Sequence, residues 1–251
     1  MSIFDLTGRI AIVTGAGRGL GRAIAVGLAQ AGADVALVTN NTPADAVKQE
    51  IEALGRQALT IQCDMSDREA LPEVIGKTLE AFGRIDILVN NAGIIRRTPA
   101  AEHAYEDWQE VLDVNLNSVF VLCQLAGKQM LEQGSGKIIN IASMLSYQGG
   151  VFVPGYTASK HAIAGLTKSL ANEWASKGVN VNGIAPGYMT TDNTEALRDD
   201  PVRSKQILDR IPAGRWGTGE DIAGSAVFLA SSASDYVNGH ILCVDGGWMN
   251  R

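Results

Sequence analysis

Tyr156 and Lys160 stand four positions apart in "PGYTASKHA", the spacing that puts two side chains on one helix face, one turn apart. A free phenol titrates near 10, and an ammonium within about 4–6 Å favours the phenolate by roughly 1–3 pK units. The expected direction of the Tyr156 pKa is therefore downward, toward a proton donor and acceptor usable near neutrality. Ser143 ends the run "KIINIAS" upstream, where its hydroxyl can hydrogen-bond a substrate carbonyl oxygen beside the phenol. A Tyr-x-x-x-Lys spacing alone more often marks two residues that share a helix surface. Its weight comes from the rest of the chain.

A second group reads "TGAGRGLG" and follows the apolar run "RIAIV". Gly15, Gly17, Gly19 and Gly21 allow a tight turn, and the next helix would aim its free amides and positive dipole end at a pyrophosphate. The spacing is Gly-x-x-x-Gly-x-Gly; Leu20 stands where the Gly-x-Gly-x-x-Gly fingerprint places its third glycine. About 20 residues on, a carboxylate would bind the ribose hydroxyls of NAD and repel the phosphate of NADP. Thr39, Asn40 and Asn41 occupy that place without charge, and Arg18 can meet a 2′-phosphate. Residue chemistry admits NADP and does not exclude NAD.

The elements that must carry these groups repeat. Strands at 9–15, 34–39, 58–63, 85–90, 137–143, 179–187 and 240–247 alternate with helical periodicity, including helices near 105–132, 155–177 and 219–231. The strands lack polar–apolar alternation, as expected of a parallel sheet covered on both faces. The expected fold is α/β: a Rossmann-like, doubly wound parallel sheet of about seven strands with helices on both faces, in a single domain spanning 1–251. Residues 188–216 are polar and interrupted by prolines, which predicts a lid or binding segment.

Composition narrows the function classes. Of 251 residues 46% are hydrophobic and 19% charged, ample for a core. The 27 acidic and 21 basic residues give a net charge of −6, which opposes binding to nucleic acid or an anionic membrane. Neither a leader pattern nor a membrane-length apolar run is present, so a cytoplasmic location is expected. Cys63, Cys123 and Cys243 are scattered and expected to be buried thiols. With His103, His161 and His240 they form no metal-ligand spacing, so no metal is expected.

The order of "TGAGRGLG", "NNAG", the Asn of "VLDVNLNS", the Ser of "INIAS", "YTASK" and "APG" resembles the short-chain dehydrogenase/reductase family over essentially the whole chain. The resemblance implies that Tyr156 is the acid/base and that Ser143 orients the carbonyl. Lys160 would hold the nicotinamide ribose and lower the tyrosine pKa, with Asn115 maintaining a water-linked proton path to Lys160. It implies further that Asp64 contacts the adenine with Met65 beside it. Asn91, Ala92 and Gly93 would line the cofactor, and Pro186, Gly187, Met189 and Thr191 would wrap the nicotinamide end. Asn115 read from its own chemistry is equally a helix-bending side chain, and Asp64 an ordinary turn residue.

Within the family, "GIIRR", "APGYM", "ILDRIPAGRWG" and "DGGWMNR" resemble members that act on a deoxy keto sugar acid with NAD(H). The cofactor expectation is NAD(H), with NADP(H) admitted. Such a substrate carries a carboxylate, and Arg96 and Arg97, just beyond the fourth strand, are candidates to hold it. Neighbouring arginines in a loop point different ways, so one is expected to face the pocket. Gln148, Tyr188, Asn193 and Arg215 are further substrate candidates, Arg215 being equally a lid anchor. Trp248 and Arg251 in the tail are candidate contacts across a subunit boundary, since the resemblance implies a homotetramer. A reductase of 3-oxoacyl thioesters is the alternative enzyme, and a non-catalytic dinucleotide-binding regulator the alternative outside catalysis.

Overall fold

The computed structural model describes residues 2–251; the side chain of Asn193, a substrate candidate, lies outside what is described. Chain order begins with β1 (Ile10–Thr14), α1 (Gly19–Gln30), β2 (Asp34–Thr39), α2 (Asp45–Ala53), β3 (Ala58–Gln62), α3 (Leu71–Phe82) and β4 (Ile87–Asn90). The second half runs α4 (Tyr105–Leu112), α5 (Ser118–Gln133), β5 (Gly136–Ile141), α6 (Pro154–Trp174) and β6 (Val179–Pro186). It ends with α7 (Glu195–Asp199), α8 (Pro201–Leu208), α9 (Gly219–Ala230) and β7 (Ile241–Val244).

Among the described residues the strands form one seven-stranded sheet in the order β3-β2-β1-β4-β5-β6-β7, parallel throughout. The chain reverses direction across the sheet between β1 and β4, which pair Val13 with Val89. Strands there diverge into loops on opposite faces and leave a crevice at their carboxyl ends.

Coverage of both faces explains the unbroken apolar strands. Ile12 of β1 packs into a core with α3, α5 and α6, whereas Ala11 and Val13 pack into the opposite core with α1, α2 and α9. Period-two alternation thus separates two cores rather than core from water. Edge strand β7 is only partly covered, and Cys243 there is exposed while Cys63 and Cys123 are buried, a correction to the expectation of three buried thiols.

Two local features depart from the expected elements. The helix expected near 105–132 is interrupted by a π-helical turn at Asp113–Asn117, a form frequent at functional positions. The 188–216 segment is not merely irregular: it contains α7 and α8. Asp200 caps α8, accepting from the amides of Val202 (2.9 Å) and Arg203 (3.1 Å), with Pro201 at the first helical position. The segment is closed at its base, where Thr190 N donates to Gly217 O and Gly217 N to Tyr188 O.

Candidate active site

The turn after β1 is shaped by backbone crowding. Gly15 has φ +66°, and an added Cβ on Gly21 would collide with the Gly15 carbonyl oxygen, so the first turn of α1 folds back onto the end of β1. Thr14, at the tip of β1, accepts through Oγ1 from the amides of Asn91 and Ala92, each at 3.0 Å. Asn91 Nδ2 donates back to Thr14 O at 2.9 Å. This exchange ties the Asn-Asn-Ala-Gly loop after β4 to the glycine turn. Thr14 had no distinguishing mark in the sequence, because its partners lie 77 and 78 positions away.

One groove of about 450 Å³ opens over this junction. Every residue assigned to the cofactor by the sequence reading lines it, from Gly15 to Thr191, together with Ser143. Asp64 accepts from Ser66 N (2.8 Å) and Ser66 Oγ (2.7 Å); these bonds hold its carboxyl below the usual range. It is both a turn residue and part of the groove wall. Thr42, Ser66, Glu110 and Asp192 also line the groove and were not singled out from the sequence.

At the other end of the groove, α6 presents the candidate pair, Tyr156 and Lys160. Pro154 starts the helix, and at Gly155 α6 packs against Trp108 and Val111 of α4, where a Cβ would meet both at an ordinary 3.5 Å. Lys160 Nζ lies 5.5 Å from the centre of the Tyr156 ring and donates to Ile141 O at 2.6 Å. Ser143 lines the groove with the phenol and lowers its pKa, and its Oγ accepts from Leu145 N at 3.1 Å. Ser146 Oγ donates to Lys160 O at 2.7 Å, fixing the serine turn to α6.

The tyrosine pKa departs from expectation. Burial of the phenol pushes it above its ordinary value, against the lowering effects of the Ser143 hydrogen bond and the Arg97 charge. Lys160 is itself buried, and desolvation brings its ammonium down to about 8, because burial disfavours the charged form. This has a consequence for stability. Between pH 8 and the ordinary lysine value of 10.5 the unfolded chain holds a proton that the folded chain has released, so stability from this group rises with pH through that window, by about 3 kcal/mol. Urea unfolding across the window should show the parent gaining on Lys160→Met; parallel curves would show that Lys160 is not held in a desolvating site.

Asn115, buried in the π turn, accepts from Ile94 N at 2.8 Å and donates to Ile94 O at 2.9 Å and Ser159 Oγ at 3.3 Å. It is not part of the groove wall; it joins the loop after β4 to α6, one residue before Lys160.

The two arginines divide. Arg96 Nη2 donates to Glu110 at 2.7 Å, and its Nε lies 3.7 Å from Asp107, so it is tied to α4. Arg97 is the charge that acts on Tyr156. Thr98, next in the chain, donates its amide to Phe152 O at 3.0 Å, which holds the arginine loop against the segment leading into α6.

The remaining substrate candidates sit at the foot of the lid. Tyr188 packs edge-on to Trp216 at 5.5 Å and against Trp248 at 4.7 Å. Gln148 Oε1 accepts from Trp248 Nε1 at 3.3 Å. Arg215 binds Asp221 through two bonds of 2.7 Å, which makes it an anchor between lid and α9. In the tail, Arg210 stacks 3.9 Å over Trp248 and Arg251 donates to Asp209 O at 3.0 Å. None of Tyr188, Gln148, Arg215 or Arg97 is part of the described groove wall; of these, Arg97 is the one whose charge reaches the phenol.

Among the described residues no group of three or more His, Cys, Asp or Glu is placed to hold a metal ion, and no helix is long and apolar enough to cross a membrane.

A family model described as "Enoyl-(Acyl carrier protein) reductase" matches residues 15–249. The chain is 58% identical to the 2-dehydro-3-deoxy-D-gluconate 5-dehydrogenase of Bacillus subtilis (strain 168), over 99% of this chain and 97% of that protein. It is 54% identical to the enzyme of the same name from Dickeya dadantii (strain 3937), over 100% and 99%. A crystal structure of a gluconate 5-dehydrogenase from Burkholderia cenocepacia J2315 in complex with NADP and tartrate superposes with a TM-score of 0.94 at 41% identity, covering 99% of this chain and 98% of that one. With the glycine turn, the Asn-Asn-Ala-Gly loop and the Ser143, Tyr156 and Lys160 arrangement all in one groove, the chain belongs to the short-chain dehydrogenase/reductase family.

Proposed function

We propose that this protein is a nicotinamide-dependent oxidoreductase that interconverts a ketone and a secondary alcohol on a deoxy keto sugar acid, of the 2-dehydro-3-deoxy-D-gluconate 5-dehydrogenase type. The observation that carries the reading is a buried phenol with the Lys160 ammonium 5.5 Å from its ring centre, lining together with Ser143 the same groove as the glycine turn. The residues present suit the cofactor: a crowded glycine turn with a helix start for the pyrophosphate and uncharged Thr39 and Asn40 beside the ribose. When bound, the nicotinamide supplies or accepts the hydride.

The chain's own residues handle the proton and the geometry. In the reducing direction Ser143 donates a hydrogen bond to the carbonyl oxygen, and Tyr156 transfers its phenolic proton to that oxygen as negative charge develops there. A phenol held protonated by burial is suited to the donor role; the reverse reaction requires the phenolate, which Arg97 and Ser143 favour. Lys160 holds the ribose side of the groove. Asn115 keeps the loop after β4 in register with α6 and lies beside the proton path toward Lys160. Arg97 receives the carboxylate in a charge-assisted contact. Both NAD(H) and NADP(H) enter, since Arg18 can face a 2′-phosphate and no acid stands at Thr39 or Asn40. A cytoplasmic homotetramer is the assembly that accompanies this reading.

The family model's description favours one other reading, reduction of an acyl-carrier substrate. Initial rates with reduced nicotinamide nucleotide and either a deoxy keto sugar acid or an acetoacetyl thioester separate the two. The sugar acid is expected to have the higher kcat/KM by about tenfold or more, the discrimination lost when a charge-assisted contact goes unmet. Turnover of the thioester alone would transfer the assignment to the second reading.

A further inference from the structure

The groove has a clasp. Arg18 Nη1, in the glycine turn, donates to Asp192 Oδ2 of the lid at 2.7 Å across 174 positions of sequence. Two contacts and one backbone angle define where this clasp sits. A Cβ on Gly17 would lie 2.8 Å from Thr42 Cγ2, so the turn packs on the loop after β2. A Cβ on Gly19 would lie 3.9 Å from Thr191 Cγ2, so the same turn meets the lid. Arg18, between the two glycines, has extended backbone at φ −158° and projects between lid and loop. Thr39, Asn40, Asp64, Asp192 and Arg18 all line this end of the groove, and Arg18 and Lys160 are the cations among the described lining residues. Lys160 is at the opposite, catalytic end. Arg18 is therefore the cation available to a 2′-phosphate, and Asp192 already holds it.

We propose that Asp192 is a specificity-determining residue for the cofactor: its carboxylate competes with the 2′-phosphate of NADP for Arg18 and leaves NAD binding unaffected. This inference rests on the proposed nicotinamide chemistry and deepens it. NADP gains Arg18 only by displacing the lid carboxylate, and then places two like charges close together. NAD has no group that needs Arg18 and binds with the clasp closed. The device replaces the missing acid after β2 with one carried by the lid, so discrimination is coupled to lid position. Both partners of the ion pair are more than half exposed, where such a pair is weak; the competition is therefore a tuning of preference, not an exclusion.

Equilibrium binding of NADPH and NADH, read by nucleotide fluorescence without substrate, tests this independently of turnover. Asp192→Asn is expected to tighten NADPH by about two- to tenfold and to change NADH by less than about twofold. In an Arg18→Ala background the same substitution should leave NADPH unchanged, the signature of a coupled pair, and Asp192→Glu should behave like the parent. Equal shifts for both nucleotides, or a gain that survives removal of Arg18, would overturn the competition while leaving the nicotinamide reading intact. Failure of the parent to bind either nucleotide would instead overturn that reading and the inference with it.

Discussion

Replacing Tyr156 by phenylalanine lowers kcat for the keto sugar acid by about 10²- to 10⁴-fold, the range contributed by a positioned general acid or base, while nucleotide affinity stays within a few-fold of the parent. Phenylalanine keeps the ring and its packing on α6 and deletes one hydroxyl, so the fold is expected to lose no more than about 1 kcal/mol. The split between an abolished chemical step and intact binding is the informative part. A ring that merely shared a helix face with Lys160 would leave kcat within a few-fold. Initial rates at saturating substrate, with nucleotide affinity measured separately, check the prediction, and activity undiminished in the variant would remove Tyr156 from proton transfer.

The second large effect concerns the arginines. Arg97→Ala raises KM for the sugar acid by about 10- to 100-fold, corresponding to loss of a charge-assisted hydrogen bond of roughly 1.5–3 kcal/mol. Arg96→Ala leaves KM within about threefold, because its partners are Glu110 and Asp107 on α4 and a half-exposed pair of this kind is worth about 0.2–1 kcal/mol. Arg97 has a second signature. Its positive charge favours the Tyr156 phenolate, so its removal raises the phenol pKa, and the rising, acid-side limb of the pH profile for alcohol oxidation moves to higher pH. An Arg97→Ala enzyme with a raised KM but an unmoved limb would keep the carboxylate contact and lose the coupling. Equal, small effects at both positions would return the pair to the solvated surface.

The sheet and groove were legible because their signals are local. Apolar runs at strand spacing, the glycine turn and the Tyr–Lys spacing each report on a few neighbouring residues, and the resemblance supplied their order. What escaped depends on partners far apart in sequence. Thr14 acquires its role only when Asn91 and Ala92 arrive beside it, and Asp192 only when the lid closes on Arg18. What sets Arg96 apart from Arg97 is its bond to Glu110, one helix away. Tyr188, read as a pocket residue, packs against Trp216 and Trp248 because the tail folds over the lid's foot.

The direction of the Tyr156 pKa was misjudged for a related reason. Proximity to Lys160 is visible in the spacing, but burial of both groups is not, and desolvation outweighs the favourable terms on the phenol. Helices α7 and α8 were within reach: "DDP" at 199–201 is an N-cap followed by proline, masked by the polarity of the segment around it.

The central claim is that one anionic keto acid is held by its carboxylate at Arg97 while its carbonyl meets Tyr156. The most direct measurement is kcat/KM for a deoxy keto sugar acid and for its carboxamide, in the parent and in Arg97→Ala. The parent should prefer the acid by about 10- to 100-fold, and the variant should turn over acid and amide alike. A parent that treats the two equally, or a variant that keeps the full preference, would contradict the claim.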